Sequence, residues 1–406
     1  MGAALSQTGK RVSWVRAVRH LPPWHAGLRD IADAERAVER LNSDARGLAD
    51  SEAVARLLLR AEAVASSRIE GLEVGGRRLL KAQLAAGLGD EPSDVTATEV
   101  LNNIDAMRWA VDTVSAADEI TIEHVVGIHE RLLAGTRLHK DAGQIRDEQN
   151  WIGGSSYNPC SAAFVPPPPG RVHDLLEDLC AFCNGDSLPA VAQAGLAHAQ
   201  FETIHPFVDG NGRTGRALIH VVLRRRGLAP TVVPPVSLGL ATWSEAYVGG
   251  LTATRYRGEP SSQAATEGTN DWLEVFAAAT RRAVADATSY ERRVREIQQR
   301  WRDRLGRARA DSAASRLIAA LPGAPVVTVQ SAAALIDRRE QAVNEAIPRL
   351  VEARVLKQTT LGRRNRAFEA SDLVDAFTDL ERQLASPDGD THVSPPARRV
   401  AHRRTR

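Results

Sequence analysis

Cysteine, methionine and aromatic residues are scarce in this chain of 406 residues, which has three Cys, two Met and 4% aromatics. Three cysteines cannot form the framework of a small disulfide-stapled domain. Cys180-Ala-Phe-Cys183 has no second Cys or Cys/His pair at zinc spacing. With Cys160 they read as free thiols, the pair buried, and this usage fits a cytoplasmic protein. No apolar run approaches the length of a membrane span, and no N-terminal apolar stretch is long enough for a secretory signal. Met1-Gly-Ala-Ala-Leu-Ser6 fits the loose myristoylation pattern, one short enough to recur by accident. Neither charge dominates: 52 Lys and Arg stand against 50 Asp and Glu, which leaves no global field for nucleic acid. What remains is a globular composition, 43% hydrophobic, long enough for two or three domains and with no internal repeat.

One segment concentrates chemistry: His205-Pro-Phe-Val-Asp209-Gly-Asn211-Gly-Arg213-Thr-Gly-Arg216. The apolar spacing of Ala190 to Ile204 predicts a buried helix, and Pro206 ends it near His205. Gly210 and Gly212 allow positive φ and close backbone approach, and a second helix starts near Arg213. A glycine-rich turn into a helix N-terminus presents unpaired N–H groups to an anion such as phosphate. Asp209 suits Mg2+, which binds one or two carboxylates together with substrate phosphates. Arg213 and Arg216 share a helix face and can grip phosphate oxygens. His205 is the nearby group whose ordinary pKa suits base catalysis.

These residues resemble the signature of the Fic family, His-x-Phe-x-(Asp/Glu)-Gly-Asn-Gly-Arg-x-x-Arg, and match every specified position. The resemblance implies an all-α Fic core that transfers AMP from ATP to a Ser, Thr or Tyr hydroxyl of a target protein, releasing pyrophosphate. It implies His205 as the base, Asp209 as the Mg2+ ligand and Gly210 to Gly212 as the anion hole. Arg213 would take the β-phosphate and Arg216 the γ-phosphate; Asn211, Thr214 and Gly215 complete the nucleotide set. The motif contacts phosphates and not the base, so UTP and GTP stay open beside ATP.

Ser66-x-x-x-Glu70-Gly71 closes another predicted helix, with Gly71 as an ordinary C-terminal cap. It also resembles the Fic inhibitory motif, (Ser/Thr)-x-x-x-Glu-(Gly/Asn). By that resemblance Glu70 pairs with Arg216 and competes with the γ-phosphate, as bidentate Arg–carboxylate chemistry permits.

Gly143 to Pro169 carries β-formers around Gly153-Gly154 and reads as a hairpin whose free edge can pair with an extended target peptide. Fic proteins have such a flap here, and Ile152, Gly153, Gly154 and Ser155 are expected beside the nucleotide. The chain itself is one candidate target, and a homodimer burying the N-terminal region is left open.

The expected fold is mainly α, a helical Fic core with a β-hairpin flap and a C-terminal winged helix–turn–helix-like domain. The expected divisions are an N-terminal helical region (1–85), a core (95–240), a helical extension (241–310), a winged-helix-like domain (311–385) and a disordered basic tail (386–406). In the extension, helices Trp243 to Thr254 and Asp271 to Arg304 are separated by residues 265–270. In the winged-helix-like domain Arg338, Arg339, Arg349, Arg363, Arg364 and Arg366 suit DNA phosphates, whereas Glu340, Glu345, Glu352 and Pro348 oppose that use; DNA and protein partners both stand. Two further readings follow: a DNA-binding regulator that senses nucleotide without transferring it, and a Fic enzyme that mainly removes AMP.

Overall fold

The computed structural model describes residues 4–5, 11–12, 28–46, 51–87, 94–154, 159–256, 258–361 and 365–383. The myristoylation-like start is largely outside that set. Ser155, Arg363, Arg364 and the basic tail lie wholly outside it.

The elements run β1 (Ala4–Leu5), β2 (Arg11–Val12), α1 (Leu28–Arg46), α2 (Ser51–Ile69), α3 (Gly76–Gly87) and α4 (Val95–Trp109). Next come α5 (Ile122–Leu133), α6 (Val172–Asn184), α7 (Ala190–Ile204), α8 (Asn211–Arg225), α9 (Val236–Thr242), α10 (Ser244–Ala253) and α11 (Gln263–Leu305). Last are α12 (Ala313–Ala320), β3 (Val326–Val327), α13 (Val329–Leu335), α14 (Glu340–Glu352), β4 (Lys357–Leu361), β5 (Asn365–Glu369) and α15 (Ser371–Gln383). The fold is mainly α. Helix α7 occupies the span that apolar spacing predicts.

Two compact units emerge. The first comprises Met1–Arg40, Asn102–Val233 and Trp243–Arg281; the second comprises Leu41–Leu101, Pro234–Thr242 and Arg282–Arg406. In the first unit α7 packs between α6 and α8, and α5 lies on α8. Small residues dominate α7, so its neighbours approach closely and it is buried on nearly every face. The indole N–H of Trp272 on α11 donates to the Gly195 carbonyl of α7 at 2.8 Å, and Trp272 packs against Phe276 with ring centroids 5.5 Å apart.

Residues 265–270 are a correction: they lie inside α11 and do not break it. Ser262 caps the helix start by accepting from the Ala265 N–H at 3.3 Å, and Thr269 returns its hydroxyl to the Ala265 carbonyl. Gly268 serves close packing, since a Cβ there would sit 2.1 Å from the Ala253 carbonyl oxygen.

In the second unit α2 packs on α9, where the fully buried Glu62 accepts from the Ser237 N–H (2.8 Å) and hydroxyl (2.6 Å). That places a carboxylate at the N-terminal end of α9, where the helix dipole favours it. Helices α12, α13 and α14 pack together, and the antiparallel sheet has order β3-β5-β4. Arg338 is held by Asp311 at 2.9 Å rather than projecting alone.

Trp272 fixes the packing behind α7. Trp272→Ala is expected to lower unfolding free energy by about 3–5 kcal/mol through a large buried cavity, measured by urea denaturation. A loss within experimental error would show that the α7–α11 packing carries little of the stability.

Candidate active site

The site is organised around the end of α7. His205 follows the helix with φ 49° and ψ 61°, and its N–H donates to the Phe201 carbonyl at 2.8 Å. The left-handed region is uncommon for a residue with a side chain, so surrounding contacts must hold it there. Arg146 supplies them. Its Nε donates to the His205 carbonyl at 2.8 Å, Nη2 to those of Ile204 (3.3 Å) and Pro167 (2.5 Å), and Nη1 to that of Glu148 (3.1 Å). Its backbone N–H donates to the Pro206 carbonyl at 2.9 Å. Burial lowers the Arg146 pKa to about 10, which still leaves it charged at neutral pH. Asn150 adds bonds to the carbonyls of Phe207 (3.0 Å) and His205 (3.4 Å).

The next residues form a rigid loop. Phe207 stacks on His129 with centroids 3.7 Å apart and planes 7° from parallel. His129 Nδ1 accepts from the Gly143 N–H at 3.1 Å, so Nε2 carries the proton and donates to the Asp209 carbonyl at 3.0 Å. Burial pushes the His129 pKa down to about 4 and keeps it neutral. Asn211 folds back on the loop: its Oδ1 accepts from the Phe207 N–H (2.9 Å) and its Nδ2 donates to the Phe207 carbonyl (2.8 Å). Gly210, at φ 76°, makes the left-handed step that starts α8. The helical ladder then begins at Thr214 N–H to the Gly210 carbonyl. The N–H groups of Asn211, Gly212 and Arg213 thus head the helix, as anion binding requires.

The charged groups differ sharply in exposure. The Asp209 side chain is 53% exposed, whereas that of Arg213 is 5% exposed with Nη2 3.6 Å from Asp209 Oδ1. Nε and Nη1 of Arg213 are buried with no hydrogen-bond partner among the described residues, an arrangement that fits an anionic ligand. Asp209 fits a Mg2+ that takes its other ligands from phosphates and water. Arg216 is buried, and its Nη1 donates to the Tyr247 hydroxyl at 3.4 Å. The His205 ring is 18% exposed, with Nδ1 3.9 Å from Glu202 Oε2. Gly215 faces α7, where a Cβ would lie 2.8 Å from Phe201, and Thr214 is buried beside it in sequence.

Part of the expected hairpin, residues 155–158, lies outside the described residues. Among the described residues one antiparallel bridge joins Ile152 to Phe164, with Ile152 N–H donating to the Phe164 carbonyl at 2.9 Å. The left-handed Gly153 and Gly154 follow at once, and a Cβ on Gly154 would lie 2.5 Å from the Ser161 carbonyl oxygen. The Arg255 guanidinium sits 4.0 Å over the Phe164 ring and donates to the Glu202 carbonyl at 3.3 Å.

The first unit therefore brings together His205, Asp209, the loop glycines, Arg213, Arg216, Ile152, Gly153 and Gly154. Ser66, Glu70 and Gly71 belong to the second unit. There Gly71, at φ 80°, caps α2, with Leu72 N–H donating to the Ser67 carbonyl at 3.0 Å.

Residues 119–223 match the Fic/DOC family model, and residues 28–112 match the model of the Fic/DOC family N-terminal region. The chain carries a Fic domain. It is 33% identical over 120 residues to protein adenylyltransferase fic-1 of Caenorhabditis elegans, covering 29% of this chain and 22% of that protein. It is 33% identical over 164 residues to protein adenylyltransferase Fic of Drosophila willistoni, covering 39% of this chain and 30% of that protein. The chain thus spans less than a third of these relatives. A Fic family protein from Desulfovibrio desulfuricans has the same fold, with TM-score 0.52 and 19% identity over 86% of this chain and 98% of that one.

Sequence reasoning missed Arg146, Asn150, His129, His198, Glu202, Tyr247 and Arg255. Glu202 and His198 precede His205 by three and seven residues, one helical face, which was the available signal. The others come from distant segments. No described helix is long and apolar enough to cross a membrane. Cys180 and Cys183 are buried, as expected, while Cys160 is exposed; burial raises the Cys180 pKa to about 12, consistent with an unreactive thiol.

Fully buried His198 has its pKa lowered to about 3, first by burial and then by the Arg216 charge. The unfolded imidazole takes a proton that the folded one refuses, so this group's stabilisation is complete above about pH 6.5 and falls as pH drops toward 3. Between pH 7.5 and 4.5, wild type is expected to lose about 3 kcal/mol more stability than His198→Gln. Parallel losses in urea denaturation would contradict a neutral buried His198.

Proposed function

We propose that this chain is a protein adenylyltransferase that moves AMP from ATP to a Ser, Thr or Tyr hydroxyl of a target protein. The observation that supports it best is the arrangement of His205 at the mouth of an anion-binding helix start whose two arginines are buried.

In this reading His205 takes the proton from the target hydroxyl as its oxygen attacks the α-phosphorus. The bond from that phosphorus to the bridging oxygen breaks, and pyrophosphate leaves carrying the electron pair. The first-turn N–H groups of α8 stabilise the charge on the phosphate oxygens. Arg213 holds the β-phosphate and Arg216 the γ-phosphate. Mg2+, held by Asp209, would neutralise charge on the phosphates. The bridge at Ile152 offers a backbone edge to the target segment, and Gly153 and Gly154 border the nucleotide.

Glu70 is proposed as the regulator. A carboxylate that engages Arg216 removes the guanidinium from the γ-phosphate, so the same charge cannot serve both. The similarity to the named adenylyltransferases supports the reaction type, and its short coverage leaves the target protein open.

Label from α-phosphate-labelled ATP with Mg2+ should appear strongly on Glu70→Gly protein or an added lysate, and weakly with wild type. Glu70→Gly/His205→Ala should fall by about 100- to 10,000-fold, the range of a lost general base. Absence of transfer from labelled ATP, UTP or GTP by folded Glu70→Gly would sink the transferase reading.

A further inference from the structure

The Arg216 guanidinium does not reach its place through α8 alone. Arg216 is 1% exposed, Tyr247 4% and His198 0%, so the three polar groups meet inside the packed first unit. Arg216 Nη1 donates to the Tyr247 hydroxyl at 3.4 Å, and that hydroxyl lies 2.9 Å from His198 Nε2. The His198 and Tyr247 rings are nearly parallel, 11° apart, and Trp272 packs against both with centroids 6.1 Å away. None of this was in the sequence motif. Tyr247 arrives from α10, outside residues 119–223.

We infer that Tyr247, backed by His198, is a positioning residue that aims Arg216 at the terminal phosphate and so selects triphosphate over shorter nucleotides. A guanidinium has donors only, so the phenol oxygen must accept from it. The positive charge then drives the phenol proton toward His198 Nε2. The order is Arg216 to Tyr247 to His198, and it requires a neutral His198 with a free Nε2 lone pair. Burial and the adjacent guanidinium keep it in that state. Rotation of the Arg216 head toward solvent would break a hydrogen bond inside a dry, ring-lined pocket, where a lost partner is costly. The device is selective because AMP lacks the phosphate that Arg216 would grip.

This inference rests on the nucleotide reading above, and the test separates the two. ATP and AMP binding are measured by calorimetry on full-chain Glu70→Gly protein carrying Tyr247→Phe, His198→Leu or His198→Gln. Tyr247→Phe keeps the ring and removes only the hydroxyl. It is expected to weaken ATP about tenfold, the scale of one hydrogen bond to a charged group, with AMP affinity unchanged. His198→Leu should act in the same direction, and His198→Gln, whose amide oxygen accepts, should recover most of the ATP affinity. In transfer assays KM for ATP rises while kcat stays within about threefold. Equal losses for ATP and AMP, or ATP affinity unchanged in Tyr247→Phe and His198→Leu, would overturn the positioning role. If Glu70→Gly itself binds no ATP, the nucleotide reading falls and this inference with it.

Discussion

The left-handed backbone of His205 is the constraint from which the rest of the site follows. A residue with a side chain is uncommon there, and the sequence offers no glycine to relieve it. The conformation turns the chain sharply from the end of α7 toward the start of α8 and leaves the imidazole beside the anion-binding turn. Arg146 compensates by spending nearly all its donors on carbonyls around that turn, while its own N–H holds the Pro206 carbonyl. Because its partners include Pro167 and Glu148, the base of the flap and the turn are one hydrogen-bonded body.

The electrostatics follow one pattern: cations are buried, and the imidazoles among them are kept neutral. His129 and His198 lie deep in the first unit, both with strongly lowered pKa values and both occupied in hydrogen bonds. A charged imidazole at either place would be repelled by Arg213 or Arg216, which is part of why both pKa values are lowered. His205 differs in its surroundings. Its ring is partly exposed, with Nδ1 3.9 Å from Glu202 Oε2. Three histidines on or beside the same helix pair thus serve different ends because their partners differ.

The signature was legible because its residues are contiguous and each type has few alternative uses in that order. Helix α7 was legible because apolar spacing on a buried helix is nearly redundant. Residues 265–270 misled because Gly and Thr read as breakers, whereas Gly268 is there for the close approach of Ala253. The pairing of the flap was legible from the β-formers that flank Gly153-Gly154, and both glycines take left-handed backbone just after the Ile152–Phe164 bridge. Arg146 stood within the quoted stretch and gave no sign of its use, since a buried arginine bonded to carbonyls looks in sequence like any surface arginine. Tyr247 and Arg255 were illegible for a different reason: their partners lie about 30 to 90 residues upstream.

Arg255 and Tyr247 show that the chemistry is not confined to the segment that names the family. Residues 119–223 carry His205, the Gly210–Gly212 turn and both arginines, yet the phenol beside Arg216 and the guanidinium over Phe164 follow that segment. The signature arginines need rigid backing to be selective, because a flexible guanidinium accepts any anion within reach. Rigid backing must come from a group that is itself immobilised, and Tyr247 is, between His198 and Trp272. The helices after α8 therefore do more than cover a hydrophobic face. Through the Tyr247 hydroxyl they give the Arg216 guanidinium a fixed direction, the geometry on which the inferred selection of phosphate-chain length rests.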